Sequence, residues 1–434
     1  MIDVPLTADE LRDAWPALSS EERLEGFHRL VRGDADDFFL DLAAPEQAAL
    51  LLALPPPDRR LWLRLLAPDD AADVIQRASE EERPRLLELL DPTSRREVTA
   101  LLAYAEDAAG GLMSPRFARL RPEMTADEAI RYLRRQARAQ AETIYYAYVL
   151  DPEQRLVGVV SFRDLLTATP EQRVADFMKR DVVSVPDTLD QEAVAKVMAS
   201  EDINAIPVVD SQGRMQGIVT VDDVVDVVQQ EATEDIQKIG GMEALDAPYL
   251  DTGFGAMVKK RAGWLAALFI GEMFTATAMA GFEDEIARAV VLALFVPLII
   301  SSGGNSGSQA STLVIRAMAL GEVGIRDALR VARRELFSGL ALGGILAVIG
   351  SLRIFAWQGV FGTYGPRTPN IALTVAISLV LVVTWGTLMG SMLPMLIRRL
   401  GFDPASASAP FIATLVDVSG IVIYFTAARF ILGI

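Results

Sequence analysis

The sequence predicts a multidomain protein: an all-α superhelical N-terminal domain, a duplicated α/β domain, a long connecting helix and a membrane domain of five α-helices. Short helical units repeat near the N-terminus, a strand-and-helix pattern occurs twice in the middle, and five apolar spans follow from about residue 262. The mean hydropathy of +0.28 is high for a soluble protein and low for one that lies wholly in a membrane. It therefore fits a soluble part joined to a membrane part.

The N-terminal repeat is a leucine-rich run opened by Pro or Ser, usually with an acidic residue next to it. The units start at Pro45, Pro57, Pro68, Ser79 and Pro92, so they are 11 to 13 residues apart. Proline suits the first turn of a helix, and acidic residues suit the positive end of the helix dipole. Short helices at this spacing predict a stacked superhelix. We assign residues 1–111 to this domain.

A longer duplication follows. The segment VLDPEQRLVGVVSFRDLL at 149–166 aligns without gaps with VVDSQGRMQGIVTVDDVV at 208–225. Each copy predicts two strands, a turn between them and a helix start. The pattern resembles a tandem pair of CBS (cystathionine-β-synthase-type) repeats, which we place at 112–171 and 172–231. Such pairs usually sense a small ligand. The acidic sequence that follows predicts a connecting helix, assigned to residues 232–260.

Five apolar spans make up the C-terminal part, assigned to residues 261–434, and each is long enough to cross the ~30 Å hydrocarbon core. Basic loops alternate with loops poor in Lys and Arg, so the N-terminus is expected inside and the C-terminus outside. The N-terminus has no secretory signal pattern. We therefore expect a multi-pass plasma-membrane protein whose N-terminal and CBS domains are cytoplasmic. The spans are 262–282, 289–319, 336–357, 370–397 and 405–431.

Charge and composition exclude several function classes. Residues 1–250 hold 48 acidic and 27 basic residues, which argues against nucleic acid as a partner and suits cations. The lack of Cys excludes disulfides and thiolate metal sites, and the single His28, expected at the surface, excludes multi-histidine metal sites. No catalytic constellation or Walker loop is visible, so we predict no catalytic residues and no enzyme activity.

One carboxylate in the last span needs an explanation. Asp417 lies near the middle of that span, where an ionised side chain costs several kcal/mol by most estimates. No basic residue is placed to neutralise it at mid-depth. A protonated, structural Asp is one interpretation, and a cation site is the other. Glu272, near the middle of the first span, leaves two alternatives open: it faces a pore, or it is a protonated packing residue.

The second span is unusually polar. Its segment PLIISSGGNSGSQAST, at 297–312, combines glycines with neutral side-chain oxygens. Such a stretch is tolerated at membrane depth where it is packed in protein or lines water. It also suits a small-residue helix-packing face, and both can hold together. Neutral oxygens plus one carboxylate suit a hard cation such as Mg²⁺, and a two-fold dimer would bring two Asp417 side chains to one axis.

Together with the paired CBS repeats and the acidic helix, three segments resemble the MgtE family of magnesium channels: PLIISSGGNSGSQASTLVIRA at 297–317, LPMLIRRLGFDPASASAPFIATLVDVSGIVIYF at 393–425, and EDAAGGLMSP at 106–115. The resemblance covers essentially the whole chain. It implies a homodimer in the lipid bilayer, with a pore between the subunits and hydrated Mg²⁺ at Asp417. The other implied pore residues are Ala413, Asn305, Ser308 and Thr312.

The resemblance also implies a gate that cytoplasmic Mg²⁺ closes by binding to acidic residues. The acidic excess supports this independently, since residues 171–250 hold 17 acidic and 6 basic residues, although such a run also suits a solvated helix face. The candidates in the CBS pair, the connecting helix and the membrane domain are Asp190, Glu192, Asp202, Asp223, Asp226, Glu231, Glu234, Asp235 and Asp403. Those on the superhelix are Asp69, Asp73 and Asp37.

The sequence thus favours a Mg²⁺-selective channel for magnesium uptake, closed by cytoplasmic Mg²⁺. A secondary divalent-cation transporter coupled to Na⁺ or H⁺ is one alternative. A membrane receptor with a sensing CBS pair is another. Passage of Co²⁺, Ni²⁺ or Mn²⁺, and binding of ATP at the CBS pair, stay open.

Overall fold

The structure is a computed structural model that describes residues 7–139, 145–245, 247–250 and 252–433. The chain folds as two compact units, Met1–Glu231 and Ala232–Ile434. The helical N-terminal domain and the CBS pair form the first unit, and the membrane helices belong to the second.

The N-terminal domain is a stack of short helices. Proline in the first turn opens four of them, as the repeat predicted. The unit expected to start at Ser79 differs, because Ser79–Glu82 form a turn and the helix begins at Arg83, with Pro84 in its first turn. The helices are α1 Ala8–Ala14, α2 Ser20–His28, α3 Arg32–Leu40, α4 Ala44–Ala53, α5 Pro56–Leu63, α6 Pro68–Arg77, α7 Arg83–Leu89 and α8 Pro92–Leu101.

The core of this domain extends into the second CBS repeat. Phe38, Leu63 and Ile75 are almost fully buried between the stacked helices. The same apolar cluster includes Val194 and Ile206 of the second repeat. The superhelix and the CBS pair therefore share one apolar cluster within the first unit, and α6 lies beside the second repeat. His28 is exposed, as expected.

The CBS pair consists of two three-stranded sheets with the same topology. In each sheet the first strand runs parallel to the second, and the second and third form an antiparallel hairpin. The first repeat has α9 Ala109–Leu112, β1 Arg119–Leu120, α10 Ala126–Ala139, β2 Tyr146–Leu150, β3 Leu156–Ser161 and α11 Phe162–Thr167. The second has α12 Val174–Phe177, β4 Val185–Pro186, α13 Gln191–Glu201, β5 Ala205–Val209, β6 Met215–Thr220 and α14 Val221–Ile239.

The two repeats exchange backbone pairing. Ser114, which precedes the first repeat's strands, pairs with Ile218 of the second repeat, and Lys179 pairs with Val159 of the first. A Cβ at Gly217 would lie 2.6 Å from the Ser114 carbonyl oxygen, so only glycine allows this approach. The duplicated glycines of the sequence are therefore the points where the repeats interlock.

The connecting helix is shorter than expected. α14 ends at Ile239 rather than near residue 260, and the next helix begins at Phe254. Gly240 and Gly241 follow the end, and Gly241 has φ +75°, a conformation that favours glycine and terminates helices. Residues 240–245, 247–250, 252 and 253 contain no helix or strand.

The second unit contains five helical segments long and apolar enough to cross a membrane, among the residues that the structure describes. This number agrees with the five spans expected from the sequence. The helices are α15 Phe254–Ala280, α16 Glu283–Arg288, α17 Val296–Ala319, α18 Ala328–Phe361, α19 Thr368–Arg399 and α20 Ala409–Leu432. Of these, α16 is a short helix between the first two spans.

Glycines set the closest helix contact of this unit. A Cβ at Gly386 of α19 would overlap the carbonyl oxygen of Gly303 on α17, and a Cβ at Gly390 would overlap that of Gly307. Both helices thus carry glycines four residues apart, the spacing that lets membrane helices approach closely. The small-residue packing face considered for the second span is therefore present, and it packs α17 against α19.

Candidate functional sites

The polar side chains of α17 lie on the side away from α19. Ser301, Asn305, Ser308 and Thr312 recur every three or four residues, so they share one face of the helix. Ser308 is half-buried and the other three are exposed. The glycine face is packed in protein while this row of oxygen-bearing side chains is open.

Asp417 borders the same surface from α20. A Cβ added to Gly304 would lie 3.4 Å from the Ala413 Cβ and 3.7 Å from Asp417 Oδ1. Gly304 therefore lets α20 approach until the Asp417 carboxylate lies beside α17. The side chain is half-buried. The structure thus places the predicted pore residues of α17 and α20 around one open surface.

Internal hydrogen bonds fix the neutral groups. Ser308 Oγ donates to the Ala409 carbonyl oxygen at 3.2 Å, and Thr312 Oγ1 donates to the Ser308 carbonyl oxygen at 3.0 Å. Asn305 Nδ2 donates to Ser301 Oγ at 3.4 Å. Because the donors are used within the helices, the oxygens keep lone pairs for an external donor or cation.

Asp417 has no basic partner at this surface. Within the described ranges, no Lys or Arg nitrogen forms an ion pair with it at 4.0 Å or less. The same residues contain no group of three or more Asp, Glu or His side chains arranged to hold a metal ion. Beside the row on α17, one chain therefore supplies the Asp417 carboxylate and several neutral oxygens, an arrangement that suits a cation which retains its water shell.

Glu272 of α15 lies near this carboxylate. It is exposed and lines an open, mostly apolar groove together with Thr414, one helical turn before Asp417. A Cβ at Gly271 would lie 2.9 Å from Thr414 Cγ2, so α15 and α20 touch here. The structure therefore brings Glu272 to the edge of the candidate pore surface.

A second concentration of charge lies in the first unit, where α6 faces the start of α14. Asp70 and Asp73 of α6 repel Asp222 and Asp226 of α14, and no Lys or Arg of α14 offsets this in its first three turns. We call these four residues the acidic cluster. At this cluster, negatively charged side chains of the superhelix and of the second CBS repeat lie close to each other.

Burial and mutual repulsion raise the pKa values of three members of the acidic cluster, Asp70, Asp73 and Asp226. Burial is the larger cause for Asp73, whose pKa rises to about 7, with added repulsion from Asp70 and Glu106. Burial also raises the pKa of Asp70, and Asp222 and Asp226 add to that rise. For Asp226 the causes are burial and then Asp222. A bound cation would relieve this repulsion.

Asp223 has a structural partner. It forms a capping arrangement with Thr220, whose Oγ1 donates to Asp223 Oδ2 at 2.8 Å. The matching residues of the first repeat do the same, with Ser161 Oγ donating to Asp164 Oδ2 at 2.7 Å. Burial raises the pKa of Asp223 to about 7, although the Thr220 hydrogen bond lowers it. The duplicated Asp thus starts a helix in both repeats.

The sequence interpretation missed Asp70, Asp222 and Glu106 as members of this surface. Asp69, which it chose, is buried, and the neighbouring Asp70 lies close to Asp222 and Asp226 of α14. A helical spacing argument could have found it, since Asp70 and Asp73 are three residues apart and share a face.

The other regulatory candidates have varied surroundings. Asp37 and Asp202 are exposed, and Asp202 ends α13 in a left-handed conformation. Asp190 caps α13, accepting from the Glu192 amide at 3.0 Å, and Glu192 pairs with Lys196 at 2.7 Å. Glu231 accepts from Gln191, Asp235 is half-buried, and Glu234 and Asp403 both contact Lys238.

The membrane unit with its carboxylate among neutral oxygens, attached to an acidic CBS pair, defines the class of a membrane cation transporter. The profile described as divalent cation transporter matches residues 296–427, that of the MgtE intracellular N domain matches 6–107, and that of the CBS domain matches 109–171 and 174–230. The chain belongs to the MgtE family. This is a family of transporters rather than enzymes, with cytosolic N-terminal and CBS domains.

Two magnesium transporters that match most of the chain support the assignment. The magnesium transporter MgtE of Thermus thermophilus is 43% identical over 98% of this chain and 92% of its own length. The Bacillus subtilis magnesium transporter MgtE is 32% identical over 92% and 86%, respectively. A solved cytosolic domain of the Mg²⁺ channel MgtE in complex with ATP is 46% identical, covers 51% of this chain and 90% of its own, and has a TM-score of 0.48.

Proposed function

We propose that the protein is a Mg²⁺-selective channel that mediates magnesium uptake across the plasma membrane and closes when cytoplasmic Mg²⁺ is plentiful. The observation that carries the proposal is the position of Asp417 beside Gly304, next to the open row of neutral oxygens on α17. Mg²⁺ gives up its water reluctantly and is held by few carboxylates. One carboxylate in a polar, water-filled path suits a hydrated ion that must also leave.

The pore is proposed to form between two copies of the chain. An open polar face at membrane depth needs protein or water against it, because lipid cannot satisfy its groups. A two-fold axis near Asp417 would place two carboxylates around one path. The resemblance to the family implies the same arrangement, and the alternation of basic loops predicts an outside C-terminus.

The CBS pair offers a second surface for the dimer. An apolar stripe lies exposed on equivalent helices of the two repeats, α11 and the start of α14. Exposed apolar patches of this kind mark interaction surfaces, and a second copy of the CBS pair is the proposed partner. The stripe consists of Phe162, Leu166, Val221, Val225 and Val228, which are 43% to 63% exposed.

The acidic cluster is the proposed sensor for cytoplasmic Mg²⁺. Without a divalent ion, its like charges oppose the contact between α6 and α14. A bound Mg²⁺ would bridge carboxylates and stabilise the compact form by mass action. The donors fit this ion, since Mg²⁺ is commonly held through one or two carboxylates and retained water rather than by a full protein cage.

Flux in proteoliposomes tests the transport proposal. Purified full-length chain should carry Mg²⁺ down a gradient, and single-channel current steps should distinguish a channel from a coupled transporter. Flux that depends on a Na⁺ or H⁺ gradient would favour the coupled transporter. Complete lack of ion flux would favour a receptor. A panel of Co²⁺, Ni²⁺ and Mn²⁺ would define selectivity.

Neutralising the acidic cluster tests the gate. The variant with Asp70, Asp73, Asp222 and Asp226 changed to Asn should conduct at Mg²⁺ concentrations that close the native channel. A matched control neutralises four exposed acids of the superhelix and should close normally. If both variants close at the native concentration, the gate lies elsewhere. The control residues are Glu21, Glu80, Glu81 and Glu88.

ATP is the proposed second ligand of the CBS pair, because paired CBS repeats usually sense a small ligand. Equilibrium binding of ATP to the full-length protein, with and without Mg²⁺, tests this. A lack of saturable binding at millimolar ATP would refute the proposal that the CBS pair binds ATP.

A further inference from the structure

Six exposed arginines lie at one end of the membrane helices. The helix α18 begins at Ala328 and α19 ends at Arg399, and both carry arginines next to their apolar stretches. These side chains concentrate positive charge in a chain whose net charge is −17. We call this group the arginine rim, and its members are Arg326, Arg330, Arg333, Arg334, Arg398 and Arg399.

The packing of α18 against α19 brings the two parts of the rim together. Thr387 Oγ1 of α19 donates to the Glu335 carbonyl oxygen of α18 at 3.2 Å. Because consecutive spans run in opposite directions, the end of α19 lies beside the start of α18. The segment Ile325–Asp327, which carries Arg326, contacts α19. Arg326 therefore lies beside the end of α19, where Arg398 is found.

A small apolar cluster holds the ends of three helices at this place. It joins Val314 and Met318 of α17 to Met395 of α19, and Ala328 and Val331 of α18 pack against it. Met395 lies one helical turn before the arginines that end α19. The arginine rim is therefore carried by packed helix ends rather than by a loose loop.

Most guanidinium groups of the rim lack an acidic partner. Among the residues that the structure describes, only Arg330 of the six forms an ion pair within 4.0 Å, with Asp327 at 3.3 Å. The chain contains no lysine after Lys260, so every basic side chain of the membrane helices is arginine. The planar guanidinium group binds phosphate oxygens through paired hydrogen bonds. The rim therefore suits phosphate groups.

Exposed leucines accompany these arginines. Leu329, Leu396 and Leu400 are 83%, 52% and 65% exposed. A soluble anion at the rim would leave them in water, whereas the acyl chains of a lipid would cover them. Arginine stems also lie along apolar surface while their charged ends reach the polar layer. The combination of guanidinium groups and leucines therefore favours a lipid, which carries both a phosphate and an acyl chain.

The rim lies on the side of the membrane that the cytosolic domains occupy. The intracellular N domain and the CBS pair precede α15. The first span leaves this side and the second returns to it, so the connection between α17 and α18 is cytosolic, as is the end of α19. Anionic phospholipids give the cytoplasmic leaflet a negative surface potential. The charge of the rim is therefore complementary to that leaflet.

We propose that the arginine rim binds the phosphate headgroups of anionic phospholipids in the cytoplasmic leaflet, with the acyl chains against Leu329, Leu396 and Leu400. A bound headgroup joins the start of α18 to the end of α19, so the lipid stabilises the packing of these two helices. This binding does not depend on the proposed ion transport.

Equilibrium binding of lipid to the full-length protein in a neutral detergent tests the proposal. The probe is phosphatidylglycerol, and phosphatidylcholine with the same acyl chains is the reference without net charge. An arginine near an anionic surface contributes about fivefold in binding, so Arg326→Gln with Arg398→Gln should weaken phosphatidylglycerol binding roughly 25-fold. Binding of phosphatidylcholine should not change.

The matched control is Arg288→Gln with Arg367→Gln. Both arginines are exposed, have no ion pair among the described residues and lie at the opposite end of the spans. This variant should bind phosphatidylglycerol as the native protein does. Size-exclusion chromatography and the unfolding temperature without lipid measure folding. If the first pair does not fold, Arg333→Gln with Arg334→Gln replaces it, with the same expected loss.

The variant Arg326→Lys with Arg398→Lys distinguishes a headgroup site from diffuse attraction. Lysine keeps the charge but lacks the planar fork, so binding of phosphatidylglycerol should fall severalfold. Native-like binding by the lysine variant would reveal diffuse attraction only and overturn the proposal. Native-like binding by the glutamine variant, or an equal loss in the matched control, would also overturn it. Displacement of phosphatidylglycerol by millimolar inorganic phosphate would show that the rim holds a free anion instead.

Discussion

The acidic cluster of the first unit and the Asp417 surface of the second handle negative charge in opposite ways. On α6 and α14, several carboxylates face each other and repel, so their contact is under electrostatic strain. On α20, one carboxylate lies among neutral oxygens on a frame of closely packed glycines. The first arrangement suits a contact that responds to ion concentration, and the second suits a fixed path.

The frame explains why one carboxylate is enough in the membrane. Gly303 and Gly307 lock α17 to α19, and Gly304 lets α20 carry its carboxylate alongside. Cores packed in this way resist deformation. Repelling carboxylates, in contrast, gain from separation and can move when a cation binds or leaves. The comparison thus predicts a rigid path controlled by a deformable sensor.

The largest expected effect is loss of flux in Asp417→Ala. No other carboxylate borders the α17 row so closely, so Mg²⁺ flux or selectivity should nearly vanish while the protein stays folded. Proteoliposome uptake measures flux, and size-exclusion chromatography measures folding. Glu322→Gln, an exposed acid of the same unit, is the control. Normal uptake by Asp417→Ala would refute its place in the path.

The second largest effect is expected at the close contact between α17 and α19. Gly390→Ala forces a methyl group into the backbone of Gly307, and overpacking of this kind costs about 1–3 kcal/mol. The thermal unfolding temperature in detergent should fall. Gly344→Ala on α18 has no atom within 4 Å of the added methyl and should be neutral or slightly stabilising. Equal unfolding temperatures of the two variants would contradict the close contact between α17 and α19.

A smaller effect should appear with pH in the first unit. The pKa values of Asp73 and Asp223 are raised to about 7, so above that pH both carboxyl groups are charged and disfavour the contact between α6 and α14. As the pH falls below 7 toward the ordinary carboxyl pKa near 4, these groups are protonated and the repulsion decreases. In EDTA, lowering the pH from about 8 to about 5.5 should strengthen the α6–α14 contact by on the order of 1–3 kcal/mol, allowing for solvent screening. The groups involved are Asp70, Asp73, Asp222, Asp223, Asp226, Glu106 and Arg77.

Protease protection of the full-length protein across this pH range measures whether the contact between α6 and α14 strengthens as the pH falls. The four-Asn variant of the acidic cluster should show a much flatter profile, and saturating Mg²⁺ should also flatten the native one. Protection that rises with pH in EDTA would contradict the assignment.

The smallest expected effect concerns Glu272→Gln. Glu272 lies at the edge of the pore surface, beyond Thr414, and adds charge that the neutral row does not require. Transport should therefore persist, with a modest change in the Mg²⁺ concentration that gives half-maximal uptake. Thr414→Val is the steric control within the same groove. Loss of transport in Glu272→Gln alone would place this carboxylate in the ion path.

Much of the fold was readable from the sequence, because its signals are local. Proline-started helices, the duplicated hairpins and five apolar spans each follow from spacing along the chain. The two misplaced boundaries have local causes as well: Pro84 delays one helix, and Gly240 with Gly241 ends α14 early. Glycine and proline act through backbone conformation, which an acidic or apolar pattern does not report.

The sequence by itself determined the residue types of both sites: one carboxylate in an apolar helix, neutral oxygens on another, and an acidic excess before the membrane. Only the tertiary structure decided which of them meet. It brought Asp70 close to Asp222 and Asp226 of α14, gave Asp223 a capping role and placed Lys238 between Glu234 and Asp403. Such pairings depend on helix rotation and on contacts across long sequence separations, and neither is encoded in the spacing of a single segment.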